Sequence, residues 1–323
     1  MIRVVLERLA QAVLVLLAVS AVSFAMFRYV GDPVAAMSRE GASLQEKAEL
    51  RQSLGLDRPV LVQYGAFLQR TLKGDWGISY RNQQPVTKLL ADRLPATLEL
   101  VLMATLLSLS LGIPLGVVCA LRPDGIVARL IQAVSLIGIS TPTFVTGIVL
   151  ILVFAVTLGW LPSFGRGPTV DLGWWTTGLL TLGGLKALVL PAITLALYQL
   201  TLIMRLVRSE LIDVLSTDYI RFAKARGLPS RYIHYRLALR NALMPVITVT
   251  GLQVGSLIAF AIVTETVFQW PGMGLLFIQA VSFADVPVMA AYLLFVGLIF
   301  VIINSVVDLL YAVVDPRLRV RAG

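Results

Sequence analysis

The residues best suited to chemistry in this sequence are concentrated in one polar stretch, residues 216–245, which reads STDYIRFAKARGLPSRYIHYRLALRNALMP. It gathers arginine and lysine residues, the single histidine of the chain, His234, and two helix-stopping residues, Gly227 and Pro229. Basic side chains of this kind bind acidic partners or lipid headgroups. A short helix with a defined end can also dock into a groove of a partner protein. For His234, a solvated or lipid-facing role is favoured over a role as a metal ligand.

The spacings on which common catalytic sites depend are absent. None of the five lysines is followed by Ser or Thr, so the chain has no P-loop with which to hydrolyse ATP by itself. The sequence contains neither a His-Glu-x-x-His zinc motif nor a Gly-x-Ser-x-Gly elbow, and one histidine excludes a His-rich metal site. Cys119 lies in an apolar run and suits a small buried hydrophobic position. We therefore expect no enzymatic activity and no cofactor or metal bound by this chain.

The first part of the polar stretch predicts a helix of about nine residues. Asp218 lies at its start and Lys224 in its last turn, so both charges complement the helix dipole. Gly227 is placed to stop it in a left-handed conformation. A basic amphipathic segment then leads into a new helix, which is predicted to begin near Asn241.

A helix this short is marginal by itself in water, so another surface must hold it. Tyr219, Phe222 and Ala223 stand at positions i, i+3 and i+4 and form one predicted apolar face, while Arg221 and Lys224 project elsewhere. The face could rest on a membrane surface with its basic residues on anionic lipid headgroups. It could equally fit a groove of a protein. Composition alone favours neither.

Apolar residues dominate the rest of the chain. It is 58% hydrophobic and only 14% charged, whereas roughly a quarter of the residues in soluble domains are charged. This is the composition of an integral membrane protein, in which each crossing takes about 20 apolar residues. A retained first helix is favoured over a cleaved signal peptide, with a signal anchor as the alternative. The six predicted spans lie in the uncharged stretches 9–27, 100–121, 130–165, 187–204, 241–264 and 286–307. The stretch 130–165 is too long for one crossing, and Gly159, Pro162 and Gly165 mark where it leaves the membrane.

The short loops predict the orientation of these spans. Arginines or lysines lie before the first span, between the second and third, between the fourth and fifth, and after the sixth. The opposite side keeps Arg166 after the third span and no Lys or Arg after the fifth. Because basic residues are retained on the cytoplasmic side, both termini are predicted to be cytoplasmic. The net charge of +9 then reflects orientation rather than nucleic-acid binding.

The one well-charged outer segment, residues 31–95, is predicted to be a small extracytoplasmic helical subdomain. Ser43 and Glu46 form a capping-box pattern at the start of LQEKAELRQSL, and Gly55 stands where a helix stop belongs. A second helix is predicted after Pro59, ending at GDWG. This subdomain could receive a partner or simply cap the spans.

Several polar residues lie within the predicted spans or at their ends. For Gln199, Gln253 and Asn304 within the spans, hydrogen bonding between helices is the commoner use, but they could also line a solute pathway. Glu99, Lys186, Glu265 and Asp308 fall at or near span ends, where an interfacial role is favoured over proton relay. Glu265 could also attract a peptide amine. The candidate pathway residues are Gln199, Gln253, Glu265 and Asn304.

Two motifs in the polar stretch, DYIRFAKARGL and LRNALMP, resemble those of the permease subunits of ATP-binding-cassette importers, in the dipeptide, oligopeptide and nickel branch. Both fit the branch's pattern at every named position. The more general importer motif fits less well, because Arg221 and Phe222 replace its first two residues and Arg240 its proline. Further similar stretches span nearly the whole chain: GDP, LGLDRPVLVQYGAFL, GDWGIS, RLPATLEL, ETVFQWPGMG and DPRLR.

The resemblance implies a type I importer permease fold, in which residues 218–227 form a coupling helix that fits a groove on a partner ATPase. It implies a second related permease, two ATPase subunits or domains that carry ATP and Mg²⁺, and an extracytoplasmic solute-binding protein. The chain would lie among lipids in a bacterial or archaeal cytoplasmic membrane and bind no nucleic acid. The residues implied in coupling are Asp218, Tyr219, Arg221, Phe222, Ala223, Lys224, Ala225 and Gly227.

The predicted organisation is a first transmembrane helix (1–30), the outer subdomain (31–95), a core of five helices (96–315) with a coupling loop (208–240), and a cytoplasmic tail (316–323). The implied solute is a di- or oligopeptide, with nickel or another small solute as the alternative. Two other functions are open. A secondary transporter or channel would work without an ATPase, although charge-poor span centres argue against it. A membrane docking scaffold would scarcely need six spans.

Overall fold

The structure, a computed structural model, describes residues 2–29, 34, 43–53 and 55–314. Within them the chain is predominantly helical with one small antiparallel strand pair, so the all-α prediction is confirmed. The GDP motif at 31–33 and the predicted tail at 316–323 lie outside the described residues. The elements are α1 Ile2–Tyr29, α2 Leu44–Ser53, α3 Val60–Leu72, α4 Val86–Leu121, α5 Ile126–Ser140, α6 Thr143–Leu150, β1 Val170–Asp171, β2 Thr176–Thr177, α7 Leu182–Ser216, α8 Asp218–Ala225, α9 Leu239–Val267, α10 Met273–Ser282 and α11 Val286–Val314, with π-helical segments at Ile151–Thr157 and Tyr232–Ala238.

Five continuous helical segments among the described residues are long and apolar enough to cross a bilayer: those that contain α1, α4, α7, α9 and α11. The third predicted crossing is not one straight helix, because α5 and the segment Thr143–Thr157 meet at a bend of 109°. Pro142 accounts for the break, since its ring disfavours helical backbone at Thr141 and it has no N–H to continue the ladder. Counted as one span, the bent pair completes the predicted six.

Several helices extend beyond the uncharged stretches that predicted them. α4 begins at Val86 rather than at 100, and α7 covers Leu182–Ser216 rather than 187–204. At 1.5 Å per residue, the 35 residues of α7 are about 52 Å long, compared with about 30 Å for the hydrocarbon core of a bilayer. Uncharged stretches locate only the apolar middle of such a helix, because its polar ends lie beyond the hydrocarbon.

The chain divides into two compact units, Met1–Pro95 with Gly272–Ile302 and Ala96–Pro271 with Ile303–Gly323. In the first unit both predicted helices of the outer segment form. The Ser43 N–H donates to Glu46 Oε2 at 2.8 Å and the Glu46 N–H donates to Ser43 Oγ at 3.2 Å, which confirms the capping box. Gly55, with φ of +67°, stands at the predicted stop.

The segment after α3 is tied to the connection between α10 and α11 by Asp285. Its carboxylate accepts hydrogen bonds from the Ser79 hydroxyl at 2.5 Å and from the backbone N–H groups of Tyr80 and Arg81 at 3.1 and 3.4 Å. Asp285 is buried, so these three donors replace its lost hydration. A cavity of about 580 Å³ lies in the same unit between α1, α3 and α11.

In the second unit, α4 and α7 are in close contact at Gly116. A Cβ added there would lie 2.7 Å from both the carbonyl oxygen of Met204 and the Cβ of Val207, closer than real Cβ contacts allow. The absence of a side chain therefore lets the two backbones touch. The same contact continues one turn earlier at Gly112, whose Cβ would meet Ile203.

We expect replacement of Gly116 with alanine to destabilise the protein by about 1–3 kcal/mol, because the two helices must separate to admit the methyl group. Thermal unfolding of the purified chain in detergent measures this loss. The matched control is Gly65→Ala in α3, where a Cβ would have no neighbour within 4 Å and alanine favours the helix by up to about 1 kcal/mol. Equal melting temperatures for the wild type and Gly116→Ala would contradict the predicted contact.

Candidate functional site

The helix α8 follows α7 after a single extended residue, Thr217, with φ of −69° and ψ of 153°. The Thr217 hydroxyl donates back to the Val214 carbonyl at 2.6 Å and so satisfies the end of α7 rather than capping α8. Asp218 lies in the first turn of α8 as predicted, and it accepts an exposed hydrogen bond of 3.3 Å from Arg221. The start of α8 therefore depends on the dipole and on this pair.

Gly227 ends the helix in the left-handed conformation, with φ of +75°. Its N–H donates to the Lys224 carbonyl at 3.0 Å, and the Leu228 N–H donates to the Ala223 carbonyl at 3.3 Å. These two bonds form a Schellman motif, which closes the helix at a defined residue. The predicted helix stop is confirmed.

The inner side of α8 is formed by Ile220 and Ala223, which are 0% and 5% exposed. They belong to one apolar cluster with Val207 and Leu211 of α7 and Ile233 of the following segment. The predicted apolar face of Tyr219, Phe222 and Ala223 is therefore wrong as a single face. Apolar residues occur on both sides of this helix, so spacing alone could not identify the buried side.

The outer side of α8 carries two aromatic rings and most of its charge. Tyr219 and Phe222 are 43% and 62% exposed. The Tyr219 hydroxyl accepts a hydrogen bond of 2.7 Å from the side-chain amide of Asn241, and the Arg226 guanidinium lies 5.0 Å from the centre of the Phe222 ring. The other exposed residues of this side are Asp218, Arg221, Lys224 and Ala225.

The segment after Gly227 connects α8 rigidly to α9. The Ile233 N–H donates to the Pro229 carbonyl at 3.1 Å, and a π-helical segment, Tyr232–Ala238, continues directly into α9. The new helix therefore begins about nine residues before Asn241, which corrects the predicted start. Because the π-helical segment is amphipathic and basic, charge counting placed it outside the helix. Such segments often mark functional positions.

Two of the four candidate pathway residues are enclosed within the second unit. Gln199 is 1% exposed, and its amide oxygen and nitrogen have no hydrogen-bond partner among the described residues. Glu265 is fully buried and accepts a 2.6 Å hydrogen bond from the Thr97 hydroxyl of α4. Glu265 was predicted to lie at a membrane interface, but it is enclosed and forms a hydrogen bond between α4 and α9 instead.

The other two candidates, Gln253 and Asn304, are half-buried on α9 and α11. These helices touch at Gly251, where an added Cβ would collide with Val307. Gln253 lies two residues after Gly251, and Asn304 lies three residues before Val307. Because consecutive spans run antiparallel, both fall in one layer within about one helical turn of this contact. Asn304 Oδ1 has no hydrogen-bond partner among the described residues.

A buried ion pair joins Glu99 of α4 to Arg166 in the loop before α7. Arg166 Nη2 lies 2.7 Å from Glu99 Oε2, and the two side chains are 7% and 3% exposed. The Trp175 indole N–H also donates to Glu99 Oε1 at 3.3 Å. The sequence predicted that Glu99 is solvated at a membrane interface. The structure shows instead that it is buried and paired with Arg166 within the protein. The only feature of the sequence that could have indicated this ion pair was that each of the two residues is an isolated charge in an otherwise uncharged segment.

The titratable side chains do not gather into a metal site. Within the part of the chain that the structure describes, no group of three or more His, Cys, Asp or Glu side chains is placed to hold a metal ion. The α8 region instead presents a surface. Its inner side is apolar and packs against the protein, and its outer side carries exposed aromatic and basic residues.

Two family models match the chain in sequence. The description "Binding-protein-dependent transport system inner membrane component" covers residues 112–320, and the N-terminal model of the same transport systems covers residues 1–101. Among similar proteins, the dipeptide transport system permease protein DppB of Escherichia coli (strain K12) is 37% identical over 99% of both chains. DppB of Alkalihalophilus pseudofirmus is 37% identical over 97% of this chain and 98% of that protein.

A solved structure has a similar fold. It is an inward-facing form of the MetNI methionine ABC transporter, matched with a TM-score of 0.54 and 20% identity over 70% of this chain and 96% of that one. At this identity the likeness concerns the fold alone.

Proposed function

Because the chain belongs to the family of binding-protein-dependent transport system inner membrane components, we propose that it is a permease subunit of an ATP-driven importer of peptides. The observation that carries this proposal is the geometry of α8. A short helix with a buried base and a fixed end presents Tyr219 and Phe222 outward. This surface is suited to a partner ATPase.

The buried side of α8 couples the movement of this helix to that of the membrane domain. Ile220 and Ala223 pack against α7 on one side and against the π-helical segment on the other. A displacement of α8 must therefore move the ends of two membrane helices, because close-packed interiors transmit strain instead of absorbing it. Cycles of ATP binding and hydrolysis on a partner could drive such displacements without nucleotide chemistry in this chain.

The outer side of α8 has the composition of an interface anchor. Tyr, Trp and Arg dominate the energetically important residues of protein interfaces, whereas isolated basic residues suffice for lipid headgroups. The bond between Asn241 and Tyr219 and the stacking of Arg226 on Phe222 hold the two rings in place. Pre-ordering of this kind lowers the entropy cost of docking into a defined groove. These contacts favour a protein groove over a lipid surface.

The solute and the remaining partners follow from the relatives. Two curated relatives that match over nearly their whole length are named dipeptide transport system permeases. We assign di- or oligopeptides to this chain on that basis, delivered by an extracytoplasmic binding protein. A second related permease would complete the pathway, and two ATPase subunits would hold ATP and Mg²⁺. Uptake of nickel instead of peptide is the alternative for the same machinery.

We place the solute pathway at the half-buried layer around Gln253 and Asn304. Its amide groups can hydrogen-bond peptide carbonyl and N–H groups, which require partners in a low-dielectric environment. Gln199 and Glu265 would contribute only after a rearrangement that exposes them. In this arrangement both termini are cytoplasmic, α8 faces the ATPase, and residues 31–95 form the extracytoplasmic subdomain.

Replacement of Phe222 with alanine tests the docking surface. Loss of a central aromatic anchor typically weakens an interface by about 2 kcal/mol or more, roughly 30-fold in affinity. We therefore expect copurification of the ATPases and ATP-dependent dipeptide uptake into proteoliposomes to fall strongly together. The assay contains this chain, its partner permease, the ATPases and the binding protein. Tyr235→Ala, which removes an exposed aromatic ring outside α8, should retain both activities.

Each other outcome identifies a rival function. Normal ATPase binding by Phe222→Ala, together with reduced binding to anionic vesicles, would favour the lipid surface. Dipeptide uptake by the wild type without ATP would indicate a secondary transporter, and ATPase binding without any solute flux would indicate a scaffold. ATP-dependent uptake of Ni²⁺ but not of dipeptide would change the solute and leave the importer assignment intact.

A further inference from the structure

The connection between Thr157 and Leu182 carries a small hairpin with an apolar tip. β1 and β2 pair through Val170 with Thr177 and Asp171 with Thr176, and the turn between them contains Gly173 with φ of +91°. A glycine with positive φ at the first central position is typical of a tight two-residue turn. Side chains alternate along the hairpin, so Trp174 is 85% exposed while Trp175 next to it points inward.

The base of the hairpin is fixed to the core of the second unit. The Arg166 guanidinium donates to the Thr176 carbonyl at 2.6 Å and to the Thr176 hydroxyl at 3.1 Å, while its ion pair reaches Glu99. The Gly178 N–H and the Trp175 indole N–H donate to the same carboxylate, each at 3.3 Å. The hairpin is thus a rigid support rather than a loose loop, and it holds Trp174 away from the protein.

The exposed surface of this connection is almost free of charge. Residues 158–182 contain two charged residues, Arg166 and Asp171. Arg166 is buried, and Asp171 Oδ1 accepts a 2.8 Å hydrogen bond from the Gly173 N–H. The large apolar side chains exposed along it are Leu158, Trp160, Phe164, Val170, Leu172, Trp174, Leu180 and Leu182.

This combination favours lipid over a protein partner. A protein-docking surface surrounds its apolar centre with a polar rim, and this connection has almost no charged rim. Tryptophan is enriched where membrane helices leave the hydrocarbon, because its ring is apolar and its N–H is polar. Both ends of the connection continue into spanning segments, and Trp160 packs against Phe154 of the preceding span with ring centres 6.0 Å apart. The exposed surface is therefore continuous with the lipid-facing surface.

We propose that residues 158–182 form an aromatic membrane anchor, in which the hairpin inserts Leu172 and Trp174 into the headgroup region of the bilayer. The bound partner is the lipid surface itself, and apolar insertion requires no particular headgroup charge. Through the ion pair of Glu99 and Arg166, the anchor fixes the depth of this end of α4. The proposal is independent of the transported solute.

A nitroxide at position 174 measures its depth. The probe is attached to Trp174→Cys in the full-length chain, with Cys119→Ala to remove the other thiol, in phosphatidylcholine nanodiscs. We expect oxygen to reach the nitroxide more readily than a water-soluble nickel chelate, at about 5–10 Å below the lipid phosphates. A nitroxide at Lys73, exposed in the outer segment, provides the water-accessible control. Equal chelate access at position 174 and at Lys73 would overturn the proposal.

A second measurement leaves the tryptophan in place. Tryptophan fluorescence of the wild type and of Trp174→Phe is compared in nanodiscs made with lipids brominated near the headgroup end of the chains. The wild type should lose more fluorescence to bromine than the variant, since only Trp174 differs. Equal quenching of the two proteins would overturn lipid insertion. Protection of the position-174 nitroxide only after addition of the solute-binding protein would also overturn it, by identifying a protein partner.

Discussion

Replacement of Gly227 with valine is expected to reduce ATP-dependent peptide uptake strongly while leaving a folded chain in the membrane. Gly227 has φ of +75°, a conformation that a β-branched residue adopts only with strain of about 1–3 kcal/mol. The chain can relieve this strain by unwinding the last turn of α8, which would misplace Phe222 and Arg226. A free-energy change of that size corresponds to about 5–150-fold in a coupling equilibrium.

Two controls separate the coupling role from a general effect of backbone strain. Gly227→Asn should retain most uptake, because asparagine tolerates the left-handed conformation better than other residues. Gly55→Val places the same strain at a helix stop of the outer segment, where φ is +67°, and should leave ATPase binding unchanged. An added Cβ at Gly227 has no neighbour within 4 Å, so a steric clash does not complicate the result. Equal uptake by Gly227→Val and Gly227→Asn would refute the coupling role of this stop.

Removal of the Arg166 guanidinium is expected to destabilise the second unit more than any surface change. Arg166→Met leaves the Glu99 carboxylate buried without its cation, and breaking one partner of a buried pair typically costs about 3–5 kcal/mol. For a chain of this size that corresponds to a fall of roughly 10 °C in melting temperature. Thermal unfolding of the purified chain in detergent measures it, and the environment of Trp175 should change in the native fluorescence spectrum.

The exposed pair of Asp218 and Arg221 is the matched control for this prediction. Its side chains are 97% and 72% exposed, and such pairs contribute little because water and salt screen them. Arg221→Met should therefore leave the melting temperature unchanged. Adding Glu99→Gln to Arg166→Met should recover part of the loss, since a neutral amide needs no cation. A melting temperature for Arg166→Met equal to that of Arg221→Met would show that the buried pair is not stabilising.

The helical architecture was predictable because the bilayer imposes a simple constraint. Backbone polar groups must be satisfied within the hydrocarbon, so an uncharged stretch of sufficient length becomes a helix. The predicted stops at Gly55 and Gly227 were equally accessible, because a left-handed cap depends on local backbone geometry. The break at Pro142 was missed although proline is a local signal, because the uncharged run around it was read as one crossing.

The inner and outer sides of α8 could not be read from spacing. Ile220 and Phe222 are both large and apolar, and periodicity assigns them to different sides without stating which side is covered. The covered side is determined by α7 and the π-helical segment, because they pack over Ile220 and leave Phe222 exposed. The enclosure of Gln199 and Glu265 could not be predicted for the same reason, since it depends on helices distant in sequence.

The sequence by itself determined the membrane class, the approximate spans, the family and the position of the short helix α8, because all of these depend on composition and on short-range spacing. Only the tertiary structure decided which side of α8 is available to a partner, that Glu99 pairs with Arg166 across 67 residues, and that the hairpin presents Trp174 outward. The physical reason is that burial and ion pairing are properties of neighbours in space. Neighbours distant in sequence are set by packing, which local patterns do not encode.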